Sequence, residues 1–518
     1  MFEAQRLWKD HWGPFQDTFR YQYVLSRETE SLEGFQHYRG RDWNLYAGPE
    51  LPMVGLQDQG GRTIGAVIGI AVGPDVLLTG PVVTLPLDTE STDFWDAFET
   101  YIIDVAGRFA FMMEHAGETR FYTDPVGMIG AVHSKKDGHV AASPLMAIKR
   151  PLEPNPKFDF DVIANKGGKL ALFHTADAHV RRLKPNHYLN LDTFEEHRFW
   201  PRDEVFAADG DKVLNIYDEI SQRARFNIGQ IANAFPCAMP VSGGQDSRLL
   251  MAFAGEHTSS IQQFYTHINN YATRRDDAIG RALCNAIDIP HDTHDKRQFR
   301  LLRWELKHSH EKYKLTLGAP SSLPKEYING VVKGVPDGHV ILRGHQTDLL
   351  RAVFVFQPKE RWQDPDWQLE RLIIVPRHEF NEEIAAKFRD EFMAWQRTLP
   401  ENAMSKAADF MFLEVYYNST VGATFAALWR HFYVSPFNSR RLIALSLSFD
   451  EAQRRKSEPV FDIIERERPE LSLVPYDFEL PASLSSIEDT RLCNEITRKR
   501  RRQTRRRLSR YAQQSVPQ

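Results

Sequence analysis

The stretch 235–254, FPCAMPVSGGQDSRLLMAFA, constrains this chain more tightly than any other. Phe235 to Val241 is a short apolar run, Ser242-Gly243-Gly244-Gln245-Asp246-Ser247 follows it, and Arg248 to Ala254 reads as helix. Strand, glycine loop and helix in that order make an anion site. The glycines let backbone N–H groups approach a phosphate, the two serines add hydroxyl donors, and the helix N-terminus adds positive potential. Asp246 is out of place in a site for anions alone, because its charge repels phosphate. It belongs there if Mg2+ lies between carboxylate and phosphates. The lysine of a GxxxxGK[ST] loop is absent, so this is not a Walker loop. The bland alternative is a chance Gly-Gly turn at a helix start.

Around this motif the chain, at 518 residues and 42% hydrophobic, is too long for one ordinary domain. From Trp43 to about Trp200 it reads as short β-rich segments separated by Gly, Asp and Pro, with a hairpin turn at Gly117-Glu118 and a helix from Phe94 to Val105. Lys212 to Ala234 carries apolar residues at helical spacing, and helices dominate from there on. The boundary falls in the polar stretch 201–211. The expected division is 1–205, 206–490 and a basic tail 491–518. Phe410 to Trp429 is apolar on nearly all sides, which predicts a buried helix broken at Gly422. Arg498 to Arg510 (RKRRRQTRRRLSR) is either a frayed, solvated helix or a phosphate-contacting block.

A formal net charge of -4 gives no global field toward nucleic acid or membrane. The most apolar stretch, Thr63 to Gly73, falls far short of the roughly 20 residues that span a bilayer. The N-terminal MFEAQRLWKDHWGPF has no apolar signal core. Cys237, Cys284 and Cys493 are far apart without CxxC spacing, which argues against disulfides or a thiolate metal site. A cytoplasmic protein without membrane contact is the expectation.

The SGGxDS pattern resembles the loop of PP-loop ATP pyrophosphatases, which cleave ATP between its α and β phosphates. Three further segments narrow the resemblance to the asparagine synthetase family. Arg275-Asp276-Asp277-Ala278, opening a helix that runs to Ala286, is similar to the family's "DE..A..vA" segment. Ile341-Leu342-Arg343-Gly344-His345-Gln346-Thr347-Asp348 resembles its "LSGxGxDE" loop, and Ser435 to Leu442 its "PFxDxxLxxxA" segment. In the first half, Gly107-Arg108-Phe109-Ala110, Thr123-Asp124-Pro125-Val126-Gly127 and Ala142-Ser143 resemble parts of the family's glutaminase domain. The resemblance covers about residues 40 to 475. It implies a two-domain α/β protein: an Ntn-hydrolase-like αββα sandwich, then a parallel-sheet PP-loop domain.

By this resemblance Ser242, Gly243, Gly244, Gln245, Asp246, Ser247 and Gly344 bind ATP, and Asp246 and Asp348 hold Mg2+; a plain turn aspartate is the other reading of Asp348. His345 replaces a family carboxylate and is a candidate general base, set against a loop histidine without catalytic role. Lys456 stands near the family's "KxxLR" lysine, although an exposed helix-end lysine is the preferred reading. Glutamine-using members have Cys after the initiator Met; here that residue is Phe2, which has no nucleophilic atom. Glutamine hydrolysis is therefore expected to be lost, as in the β-lactam synthetases and lasso-peptide cyclases that the chain is similar to. Leu349, where the family has Glu, and the unmatched lysine argue against asparagine synthesis itself.

The expected activity is an ATP-dependent, AMP- and pyrophosphate-forming ligase that joins a small-molecule or peptide carboxylate to an amine donor or ammonia. A degenerate nucleotide- or partner-binding scaffold and a PP-loop tRNA-modifying enzyme are the alternatives. Nucleic acid is not an expected partner, with the tail 498–510 leaving that open, as is a homodimer.

Overall fold

Apolar, β-branched stretches between residues 23 and 198 build two sheets in a computed structural model, which describes residues 1–161, 170–204, 206–207, 212–352, 364–372 and 381–514. One sheet has six strands ordered Arg181–Arg182, Val132–Ser134, His139–Ala141, Tyr23–Ser26, Asn44–Ala47, Gln36–Arg39. The other has seven, ordered Glu195–Arg198, His187–Asn190, Glu118–Thr123, Ala106–His115, Thr63–Val72, Met53–Gln57, Val82–Thr84. All its pairs are antiparallel except the last, so this sheet is mixed. The expected hairpin joins Ala106–His115 to Glu118–Thr123, and its two turn residues, Ala116 and Gly117, both have positive φ. That is the turn geometry whose twist matches the flanking strands. The helix Phe94–Asp104 covers the seven-stranded sheet through Phe98, which meets Phe111 and Tyr122 edge-on.

These sheets belong to one compact unit, 1–204 with 303–323 and 357–432; a second unit comprises 205–302, 324–356 and 433–518. Of the expected boundary stretch, residues 205 and 208–211 lie outside the described residues. Within the first unit Met411–Gly422 is a wide helix with i→i+5 bonding that passes directly into the helix Ala423–Ala427. The break expected at Gly422 does not occur. A side chain there would meet the Gly127 carbonyl at 2.3 Å, so the glycine permits close backbone approach instead of ending a helix. This segment buries Glu414, which accepts hydrogen bonds from Asn186 Nδ2, Arg198 Nη1 and Trp395 Nε1, each at 2.8 Å. Burial alone would push its pKa up, but Arg198, with His187 and Asn186, outweighs this and holds it below the ordinary glutamate value.

The second unit is built on a five-stranded sheet: β1 (Cys237–Pro240), β2 (Gln263–Ile268), β3 (Asp292–Asp295), β4 (Val340–Leu342) and β5 (Phe432–Val434), in the order β3-β2-β1-β4-β5. β1 pairs in parallel with β2 and with β4, and β2 with β3. The molecule is thus mixed α/β, with a parallel sheet in its second unit. Around the sheet lie α1 (Val213–Ala234), α2 (Asp246–Ala254), α3 (Tyr271–Ala286), α4 (Arg440–Leu447), α5 (Glu451–Arg455), α6 (Glu458–Glu467) and α7 (Thr490–Gln514). α3 starts four residues before the expected Arg275, because Asn270 caps it by accepting from Thr273 N at 3.0 Å. The basic tail is not frayed. Its arginines run along the ordered helix α7, which docks by Arg500 to Glu479 and by Arg507 to Asp462. No helix among the described residues is long and apolar enough to cross a membrane.

Candidate functional site

The order of connections reverses at β1: the chain steps outward to β2 and β3, then returns to the other side as β4. In a parallel sheet such a switch point leaves a crevice beyond the carboxyl ends of the two strands, because the following loops turn to opposite sides. A pocket of about 220 Å3 lies there, lined by Ser242, Asp246 and Ser247 after β1 and by Arg343, Gly344, His345 and Asp348 after β4.

The glycine loop is held by its own polar groups. Ser242 N donates to Ser247 Oγ at 3.1 Å, and the two serine hydroxyls lie 3.2 Å apart. Gly243 N donates to Asp276 Oδ1 of α3 at 2.9 Å, and Gly243 O accepts from Asp477 N at 3.0 Å. Burial raises the Asp276 pKa, against the Gly243 N–H bond that lowers it. A side chain at Gly243 would meet Ile279 at 2.7 Å and Asp477 at 2.9 Å, so packing requires glycine there. Gly244 differs, since a Cβ would meet nothing nearer than Ser242 Oγ at 3.5 Å. Packing does not explain that glycine, and a bare backbone there permits close approach by another group. Below the loop, buried Arg248 donates to the carbonyls of Val474 at 2.6 Å and Pro475 at 2.9 Å and lies 3.7 Å over the Tyr476 ring. The arginine after the motif is therefore a structural brace.

The second wall is the turn after β4. Its Gly344 is as constrained as Gly243: a Cβ would lie 2.8 Å from the Asp246 backbone, so the two loops touch. Gln346 takes φ +66°, a left-handed conformation that costs a non-glycine residue roughly 1–2 kcal/mol. Leu349 is buried, so its side chain turns into the core. The turn is held by Arg454 Nε, which donates to the Leu349 carbonyl at 2.7 Å, and by Ser435 Oγ, which donates to the His345 carbonyl at 2.7 Å.

Asp246 and Asp348 face one point from the two walls. Arg351 Nη2 donates to Asp246 Oδ2 at 2.9 Å and to Asp348 Oδ1 at 2.6 Å, and Thr347 Oγ1 donates to Asp246 Oδ1 at 3.2 Å. The guanidinium stands in for a cation between the carboxylates, so the donor set fits a divalent metal. Among the described residues no group of three or more His, Cys, Asp or Glu is arranged as metal ligands, so a metal here would complete its shell from ligand oxygens and water. We predict that Arg351→Gln tightens nucleotide-free Mn2+ binding about ten- to hundredfold, the equivalent of the about 1.5–3 kcal/mol of a charged hydrogen bond. Titration followed by electron paramagnetic resonance checks this; unchanged or weaker Mn2+ binding contradicts it.

Of the other expected site residues, His345 lines the pocket, and burial, with the nearby Arg343, pulls its pKa down to about 3. It is therefore a neutral imidazole at physiological pH. Gln245 is buried, with its Oε1 3.4 Å from Ser457 Oγ. Lys456 is exposed at the end of α5 and does not line the pocket. Sequence reasoning missed Arg351, Asp276 and the pocket-lining Arg343. Arg351 follows Asp348 by one turn, a spacing that could have flagged it. Asp477, distant in sequence and placed only by folding, left no signal. No family model and no curated protein matches the chain.

Proposed function

We propose that the second unit is a PP-loop ATP-binding domain that activates a substrate carboxylate as its adenylate and transfers the acyl group to an amine or ammonia. One observation carries this reading: a glycine loop and two cation-bridged carboxylates share one pocket at the switch point of a parallel sheet. A site for anions alone has no use for the carboxylates, and a bare metal site has no use for the loop. Pyrophosphate carried by Mg2+ needs both.

In the reaction the substrate carboxylate attacks the α-phosphorus of ATP, pyrophosphate leaves, and the amine then displaces AMP. Mg2+, when bound, offsets the charge of the departing pyrophosphate. Ser242 and Ser247 hydroxyls and the Gly244 N–H would receive the phosphate oxygens, Asp246 and Asp348 would hold the cation, and Arg343 would offer positive charge to the reacting anion. For Asp246 and Asp348 to hold a cation Arg351 would have to leave them, and its charge would then be available to the phosphates.

The first unit is proposed to be an Ntn-hydrolase-like sandwich without glutaminase chemistry. All three cysteines lie in the second unit, and Phe2 is buried among Phe19, Val24 and Ile148, its ring edge-on to His139. The amine then comes from a substrate or from free ammonia.

The test is carboxylate-dependent exchange of labelled pyrophosphate into ATP, screened over acid pools, with Asp246→Asn as control. Exchange with some acid, abolished by the control, is expected. A second reading, a degenerate nucleotide- or partner-binding scaffold, is favoured by Arg351 already neutralising both carboxylates; no exchange for any acid, together with no Mg2+-dependent ATP binding, would establish it instead. Because His345 is held neutral, the pH profiles of wild type and His345→Gln should have the same shape between about pH 5 and 8. An ionisation near pH ~6.5 that vanishes in the variant would restore the histidine as a base.

A further inference from the structure

α7 divides its arginines between two jobs. On the docked side Arg500 pairs with Glu479, Arg501 with Glu465 and Arg507 with Asp462, and Arg505 reaches Glu465 as well. Arg498, Arg502, Arg506 and Arg510 are exposed, and none of their side chains has an ion pair or hydrogen bond among the described residues. They stand four residues apart, on one slowly turning stripe, about 6 Å of helix per step. Like charges at this spacing repel and cost the helix a few tenths of a kcal/mol per pair, and nothing on the stripe offsets that cost. Along all of α7 the sole acidic residue is Glu495. The stripe lines an open groove of about 710 Å3 with Leu473 on its wall, itself 53% exposed.

From this we infer that the α7 groove binds the phosphate backbone of a nucleic acid strand. Guanidinium forks match phosphate oxygens two at a time, and a regular row of them matches a regular row of phosphates. The groove lacks the broad apolar face by which a helix beds into lipid, and Leu473 alone does not supply one. With a net charge of -4 the chain offers no general attraction to polyanions, so binding depends on this stripe. The inference does not rest on the ligase reading, since no residue of the stripe lines the pocket at β1 and β4.

Fluorescence anisotropy of the full chain with short labelled RNA and DNA oligomers, titrated over salt, tests it. Four phosphate contacts predict a log–log salt slope of about -3 on a single strand. Arg502→Glu/Arg506→Glu should weaken binding at least about tenfold and roughly halve that slope. Lys135→Glu/Lys325→Glu, the same charge change at exposed positions elsewhere, should leave binding unaltered. All four side chains are exposed, so unchanged melting temperatures verify folding, and Arg498→Gln/Arg510→Gln provides a milder second variant. The inference is overturned by an absence of oligomer binding at low salt, by equal loss in the Lys135/Lys325 variant, or by polyglutamate or phosphatidylserine vesicles binding as tightly as the oligomers.

Discussion

Asp246→Asn is expected to reduce pyrophosphate exchange by at least about a hundred- to thousandfold, the usual range for removing one fixed electrostatic partner of a transition state. Asparagine keeps the shape of the side chain, and its carbonyl oxygen can still accept from Thr347 Oγ1. What it loses is the negative charge that, with Asp348, defines the cation position at Arg351 Nη2. Asp348→Asn should have a similar effect, and the double variant should be scarcely worse than either single one, because both carboxylates serve one cation. Asp246 is about one-third exposed, so its ion pair contributes little to folding and the melting temperature should barely move. Exchange within tenfold of wild type in Asp246→Asn, with an unchanged melting temperature, would remove the carboxylates from the mechanism.

The site was legible in the sequence where chemistry depends on local order. β1, the glycine loop and α2 are contiguous, so apolar run, small residues and helix pattern fix their own geometry, and Asp246 stands out in the loop as a carboxylate. The turn after β4 was legible through Gly344 and Asp348, although Gln346 takes a backbone conformation that its side chain does not advertise. Legibility failed where contacts are long-range or where one signal has two meanings. Gly422 read as a breaker, but it is small because another backbone passes it. The arginines of 498–510 read as one charged run, while the fold commits Arg500, Arg501, Arg505 and Arg507 to buried or half-buried carboxylates and leaves Arg498, Arg502, Arg506 and Arg510 exposed. That segments 303–323 and 357–432 pack into the first unit has no local signature, because what decides it is the apolar surface each segment finds. Glu414 is the clearest case: it stands in a run that reads as apolar on nearly all sides, yet it is buried and accepts from Asn186, Arg198 and Trp395.

That burial gives the largest stability effect expected here. Glu414→Ala removes the shared acceptor of Arg198, Asn186 Nδ2 and Trp395 Nε1. Asn186 Nδ2 keeps the Pro125 carbonyl and Arg198 keeps Thr398 Oγ1 and the Trp200 carbonyl, but the guanidinium loses its ion-pair partner, and breaking a buried pair from one side costs about 3–5 kcal/mol. For a unit of this size the melting temperature should fall by roughly 10 °C. Glu414→Leu/Arg198→Met, which removes both charges, should recover much of the loss, because the penalty lies mainly in the stranded guanidinium and not in the absence of the pair. Acidity gives an independent check. The folded-state pKa of Glu414 lies below its unfolded value, so its contribution is complete above the ordinary carboxylate range of about pH 4.3 and is lost as pH falls through the lower folded value. Glu391, paired with His174 and Arg181 and drawn down to about 2, acts in the same direction. The gap in melting temperature between wild type and Glu414→Ala should therefore be constant near neutrality and narrow below about pH 4. A gap that widens on acidification would mean that Glu414 is held protonated in the fold, and the buried site would then be a neutral hydrogen-bond node and not an ion pair.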